Sequence, residues 1–140
     1  MHISIKNLLR AVVITMLVLA LTGCEAQEAA GDKLKDLDFT VVGENEQPDA
    51  LKSIIAEKSK NAFQISYTIG EDLYIAIGYG EQPSGGYSIT VNEFYETADK
   101  IIVDTTLLGP NAAQNVTDNP TMPYVVIKTE NIEDKPIEFK

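Results

Sequence analysis

The sequence predicts a mainly β (α+β) domain: an antiparallel sheet or small sandwich of about six to seven strands, with one N-terminal helix. Apolar and polar residues alternate with a period of two in several short runs after residue 62. A single segment ahead of these runs has apolar residues at helical spacing. Residues that favour turns separate the runs at short intervals. Together these patterns favour antiparallel strands joined by tight connections.

The first two elements lie before the alternating runs. Leu37 to Val42 predicts a strand that places Leu37, Phe39 and Val41 on one face. Pro48-Asp49 then predicts the start of a helix that ends near Ser59. The stripe on one face of this helix consists of Leu51, Ile54, Ile55 and Lys58.

The remaining strands follow from the alternation and the turns between them. They are predicted at about residues 63–69, 73–80, 87–95, 101–108, 123–128 and 137–139. The alternation slips near Asn92-Glu93, which indicates a β-bulge or bend. Whether the strands form one curved sheet or a closed sandwich stays open at this point.

The N-terminus has the pattern of a lipoprotein leader. Lys6 and Arg10 precede the uncharged run AVVITMLVLALTG, which has the length of a signal-peptide core and is short for a membrane-spanning helix. The run ends in Leu21, Thr22, Gly23 and Cys24, which resembles the lipobox of bacterial lipoproteins. That resemblance implies cleavage before Cys24 and acylation of its thiol and amine, with palmitate among the acyl groups.

The leader sets the expected domain organisation and location. We expect a signal peptide over residues 1–23, a lipidated tether over residues 24–36 and the β domain over residues 37–140. Several acyl chains on one residue would hold the protein at the cell membrane, on its extracytoplasmic face, because each buried methylene adds about 0.8 kcal/mol. The membrane is therefore one expected partner.

Charge and residue inventory exclude several functions for residues 24–140. These residues carry 11 − 2 = 9 basic and 21 acidic side chains, a formal charge of 9 − 21 = −12. A field of that sign repels phosphate backbones, so we expect no nucleic-acid binding. The single histidine is His2, in the leader, and the single cysteine is Cys24. Catalysis by Cys–His or Ser–His–Asp groups is therefore excluded, and we expect neither an enzyme nor a metal or cofactor site.

Three short segments carry a resemblance to a known family. They are GEQPSGGYSI at residues 80–89, LGP at residues 108–110 and MPYVVI at residues 122–127. In this order they resemble the PrcB C-terminal family, whose members have a G-x-x-P-[ST]-G-G-Y-x-I loop and a late x-P-Y-x-V strand. The resemblance covers about residues 73 to 130. It implies a secreted or lipid-anchored accessory subunit of a surface protease, without catalytic activity of its own.

The glycine loop within this resemblance has two interpretations. Pro83 fixes its backbone φ, and Gly85 and Gly86 tolerate positive φ, so the chain could simply turn over the end of a sheet. Alternatively, the loop and the Gly109-Pro110 connection lie at one end of the sheet and contact another protein. The candidate partner-binding residues are Pro83, Ser84, Gly85, Gly86, Tyr87, Gly109, Pro110, Pro123 and Tyr124.

Other functions compete with the accessory subunit. Chagasin-type inhibitors of cysteine proteases present three loops in a similar order, and a protease inhibitor is therefore the alternative. The chain departs from that pattern because it has no tryptophan and has Met122 where those inhibitors have arginine. A carrier of small ligands would need a concave apolar pocket, for which the sequence shows no surplus of apolar residues. The sequence does not indicate an oligomeric state.

Overall fold

The computed structural model describes residues 31–111, 116–132 and 135–140. Within them eight strands form two four-stranded sheets, accompanied by one α-helix, which confirms the mainly β class. The lipobox residues Leu21, Thr22, Gly23 and Cys24 lie outside the described residues. None of the helices formed by the described residues has the length and apolarity to cross a membrane. The elements are β1 (Lys35–Asp36), β2 (Thr40–Val41), α1 (Asp49–Lys58), β3 (Ala62–Ile69), β4 (Asp72–Tyr79), β5 (Ser88–Glu96), β6 (Ile101–Leu108), β7 (Tyr124–Glu130) and β8 (Ile137–Phe139), with a short 3-10 turn at Glu44–Glu46.

The two sheets pack face to face as a sandwich. Sheet 1 has the order β1-β5-β6-β8, and sheet 2 has the order β2-β7-β4-β3. All neighbouring strands are antiparallel except β6 and β8, which are parallel. The core between the sheets is formed by Leu73, Ile75, Ile77, Phe94, Ile101, Val103, Val125 and Ile127. The open question of one sheet or two is therefore answered by a sandwich.

A second core lies between the helix and the outer face of sheet 2. Leu51 and Ile55 of α1 are buried there against Phe63, Tyr74 and Val126, among others. Because β4 contributes to both cores, its residues are buried on both faces, and its sequence is apolar without alternation. The predicted helical stripe is therefore correct at its centre, while Lys58 at its end is exposed.

The N-terminal part of the domain differs from the sequence prediction. The predicted strand from Leu37 to Val42 is correct only for Thr40–Val41, because the chain passes from one sheet to the other just before these residues. Leu37 packs against the inter-sheet core, whereas Val42 is buried in the helix-side core. The stretch expected to end the tether also takes part in the fold, because Lys35–Asp36 pair with β5.

The β-bulge predicted near Asn92-Glu93 is confirmed. The register between β5 and β6 shifts between Val91 and Glu93. Asn92 is exposed, and its amide donates to the Asp104 carboxylate at 3.0 Å and to the Thr106 hydroxyl at 2.8 Å. The extra residue is thus fixed by side chains of the neighbouring strand.

Candidate functional site

One end of the sandwich collects the segments that carry the family resemblance. At this end β4 stops at Tyr79, β5 begins at Ser88, β6 stops at Leu108 and β7 begins at Tyr124. The connections between them are residues 80–87, 109–111 and 116–123, which we call the loop rim. Antiparallel order places these connections at one end because β4 and β6 run towards it and β5 and β7 run away from it.

Hydrogen bonds fix the glycine loop to the segment that precedes β7. Gln82 and Thr121 form an isolated antiparallel bridge, with N–O distances of 2.7 and 3.0 Å. The Thr121 hydroxyl donates to the Ser84 carbonyl at 2.6 Å, and the Gly85 amide donates to the Thr117 carbonyl at 2.9 Å. The loop is therefore anchored along its length, which is the condition for presenting a constant surface to a partner.

The two adjacent glycines are required by close packing. Gly86 has φ +82°, and a β-carbon there would lie 2.4 Å from Val116 Cγ1 and 2.9 Å from Pro110 Cβ. A β-carbon on Gly85 would lie 2.8 Å from Thr117 Oγ1. All three distances are shorter than the contacts that real β-carbons make. The two glycines thus have a packing role, and whether the surface that they build also binds a partner stays a prediction.

Tyr87 and Gly109 are in contact across the rim. A β-carbon built on Gly109 would lie 3.5 Å from Tyr87 Cε1, so the Tyr87 ring lies against the Gly109 backbone. Tyr87 is half-buried and stands just before β5, which begins at Ser88. The ring therefore joins the glycine loop to the end of β6 and keeps part of its surface accessible.

Pro123 and Tyr124 are placed differently from the other candidates. The Pro123 carbonyl accepts a hydrogen bond from the Tyr79 amide at 3.2 Å, which continues the pairing of β4 with β7. Tyr124 is half-buried and packs against the helix-side core. Pro83, Gly86 and Gly109 are exposed. The accessible part of the rim is thus formed by the glycine loop and the end of β6 more than by Tyr124.

Two apolar side chains at the rim were not among the sequence candidates. Leu108, the last residue of β6, is 47% exposed, and Met122 is 37% exposed. The Ser59 hydroxyl contacts the Met122 sulfur at 3.2 Å. Leu108 could have been identified from the sequence, because it ends an apolar run immediately before the Gly109-Pro110 turn. Together with Pro83 they give the rim an apolar character that suits a protein partner.

The charges of the rim are acidic and solvated. Glu81 and Asp118 are exposed to solvent. The side chains whose pKa is shifted belong to solvent-exposed ion pairs outside the rim. A hydrogen bond from Lys52 lowers the pKa of Asp49, and a hydrogen bond to Asp72 raises the pKa of Lys128. Among the described residues, no group of three or more acidic, histidine or cysteine side chains is arranged to hold a metal ion.

The fold and the loop rim together show the class of domain to which this chain belongs. It is a β-sandwich domain with an ordered loop surface at one end. Residues 73–130 match the model of the family described as PrcB C-terminal. This segment of 130 − 73 + 1 = 58 residues, out of 140, is similar to that family, as the sequence resemblance predicted. It runs from β4 to the end of β7 and includes the whole loop rim, while α1, β3 and β8 lie outside it. No curated protein and no solved structure matches the chain.

Proposed function

We propose that the protein is a non-catalytic accessory subunit, lipid-anchored at Cys24 on the extracytoplasmic face of the cell membrane, whose loop rim binds a secreted or surface protease. The observation that carries the proposal is the extent of the family match. It contains the described loops of the rim and the residues of β4, β5, β6 and β7 that these loops join. The part of the chain that is similar to a family associated with protease complexes is thus the part that forms the loop rim.

The construction of the rim supports a binding role. The glycine loop is held by four hydrogen bonds to the segment before β7, two of them in the Gln82–Thr121 bridge. A loop that is already ordered loses little conformational entropy on binding. Exposed Pro83, Leu108 and Met122 provide apolar area that gains free energy when a partner covers it. The proposed mechanism is therefore docking of a partner on a preformed surface, with no chemical step.

The test is capture of the partner by the full chain in its membrane. Tagged protein is cross-linked to its neighbours, extracted in detergent and purified, and captured proteases are identified by mass spectrometry. We expect Leu108→Glu to reduce capture at least about tenfold, because it puts a charge into the buried centre of the contact. The matched control is Val41→Glu, which changes an apolar residue of similar exposure (59% against 47%) on β2, outside the rim. Equal capture by both variants would rule out the rim as the binding surface.

Membrane anchoring has its own test. Cys24→Ser removes the proposed acylation site, so we expect the protein to leave the membrane fraction or to accumulate as the unprocessed precursor. The folded domain is unchanged by this substitution, and its melting temperature serves as the control. A Cys24→Ser protein that is processed and stays in the membrane fraction would contradict the anchor.

The alternative role is inhibition of the protease. It is favoured by the position of three connections at the same end of the sandwich, namely the glycine loop, Gly109-Pro110 and the segment before Pro123. The two roles differ in what the captured protease does. An accessory subunit leaves the bound protease active or stabilises it against loss of activity, whereas an inhibitor abolishes cleavage of a peptide substrate in proportion to occupancy.

A further inference from the structure

Strand β3 forms an unprotected edge of the sandwich. It is the last strand of sheet 2, and no described residue pairs with its outer side. Its sequence, AFQISYTI, contains neither a charge nor a proline, and its eight residues pair with β4 in regular register. Every other described strand longer than two residues contains at least one charged residue. Edge strands normally carry charges, prolines or bulges that prevent pairing with another chain, so β3 lacks the usual protection.

The inner side of β3 is also open, because sheet 1 does not cover it. Gln64, Ser66 and Thr68 point towards the space between the sheets and are nevertheless exposed. Two hollows of about 450 and 460 Å³ lie along this side of the strand. A strand added to β3 would therefore need small polar side chains on its inner face and apolar ones on its outer face. The sequence of β3 has this pattern itself.

We propose that a second copy of the chain pairs with β3 edge to edge, antiparallel, with Ser66 opposite the partner's Ser66. A two-fold axis perpendicular to the sheet leaves the inner faces of both copies on the same side of the joined sheet. Each even-numbered residue then lies opposite an even-numbered residue of the partner, and each odd-numbered residue opposite an odd-numbered one. Gln64 would lie opposite the partner's Thr68, and Ile65 opposite the partner's Tyr67. Pairs of aromatic and β-branched residues, and of hydrogen-bonding residues, are favourable across antiparallel strands.

Charges at the two ends of β3 favour the same arrangement. Exposed Lys60 lies two residues before β3, and Glu71 and Asp72 follow it. In the proposed register Ala62 lies opposite the partner's Gly70, since 62 + 70 equals 66 + 66, so Lys60 lies near the partner's Gly70-Glu71 turn. Lys128 already pairs with Asp72 at 2.7 Å, so exposed Glu71 provides the additional negative charge. A parallel pairing would place like charges together at both ends, which is unfavourable.

The register is tested by cross-linking the full chain in its membrane. Ser66→Cys places two thiols opposite each other across the axis, so we expect rapid formation of a disulfide-linked dimer under mild oxidation. The matched control is Thr90→Cys, an exposed position on β5 away from this edge, and the unsubstituted chain measures any contribution of Cys24. Dimer formation that is no faster for Ser66→Cys than for Thr90→Cys would overturn the proposal.

The charge arrangement is tested by reversal. Starting from Ser66→Cys, we expect Lys60→Glu to reduce the yield of cross-linked dimer about tenfold at low salt, because two exposed attractive pairs become repulsive. Glu71→Lys alone should also reduce the yield of cross-linked dimer. The double variant Lys60→Glu with Glu71→Lys should recover that yield. A double variant that cross-links no better than Lys60→Glu would show that these charges do not meet. All three variants change exposed residues and are checked for folding by circular dichroism.

Discussion

Gly86→Ala is the substitution for which the structure predicts the clearest loss of stability. The residue has φ +82°, a conformation that costs an L-amino acid about 1–2 kcal/mol. Its new β-carbon would lie 2.4 Å from Val116 Cγ1, and overpacking of this kind costs about 1–3 kcal/mol. The sum is about 2–5 kcal/mol, which corresponds to a decrease in melting temperature of roughly 8–20 °C for a domain of this size.

The matched control for this prediction is Gly70→Ala. Gly70 also has positive φ, +58°, but no atom lies within 4 Å of the position of its β-carbon. Its substitution therefore carries the conformational cost without the clash, about 1–2 kcal/mol or roughly 4–8 °C. Calorimetry of both variants of the full chain in detergent separates the two contributions. Equal decreases would refute the reasoning, because they would mean that the glycine loop does not pack against Val116.

Three further substitutions test other contacts. Thr121→Val removes the 2.6 Å hydrogen bond to the glycine loop and should lower the free energy of unfolding by about 1 kcal/mol, measured in urea. Tyr79→Phe removes two 2.9 Å hydrogen bonds between the sheets, one donated by the tyrosine hydroxyl to the Thr105 carbonyl and one formed with the Thr105 hydroxyl, and should cost a similar amount, about 1 kcal/mol. Asp49→Asn should lower stability near neutral pH and lose this effect in acid: Lys52 lowers the pKa of Asp49, so the contribution is present above the ordinary value of 3.8 and disappears as the pH falls through the folded-state pKa.

Controls for these substitutions come from the same structure. Thr90→Val changes an exposed threonine on β5 and should leave the free energy of unfolding unchanged. For the pH dependence, the comparison is Asp49→Asn against the unsubstituted protein across the acidic range. A difference in stability that persists unchanged down to pH 2 would contradict an ionic origin. Thermal melts of Tyr79→Phe that coincide with the unsubstituted protein would show that the inter-sheet hydrogen bonds contribute nothing measurable.

Alternation predicted the strands well wherever one face of a strand is covered. The predicted bounds of β6 and β8 agree with the structure, and the slip at Asn92 marked a real bulge. The pattern failed at Leu37 to Val42, because a period of two does not reveal that consecutive residues join different sheets. Leu37 and Val42 are both packed, but in different cores. Sheet assignment depends on non-local packing, which the local pattern does not contain.

The glycines of the candidate site could be predicted from the sequence, but the residues that hold the glycine loop in place could not. Gly85 and Gly86 signal a backbone that must approach another segment closely, and the structure shows that approach. The segment approached was not recognisable, because Thr117 and Thr121 lie in a polar stretch without apolar periodicity. Hydrogen bonds from a threonine hydroxyl or to a backbone carbonyl leave no periodic signal in a sequence. Their identification required the folded chain.

The proposed partner surface and the proposed dimer edge can be separated experimentally, because they use different parts of the domain. The loop rim lies wholly within the family match, whereas Lys60 and β3 precede it. The two regions meet at the bond from the Glu81 amide to the Lys60 carbonyl at 3.2 Å, a backbone contact that Lys60→Glu preserves. Leu108→Glu should therefore abolish protease capture and leave cross-linking through Ser66→Cys intact, while Lys60→Glu should do the reverse. If each variant impaired both readouts, binding of the partner would depend on the dimer, and the two surfaces would have to be treated as one interface.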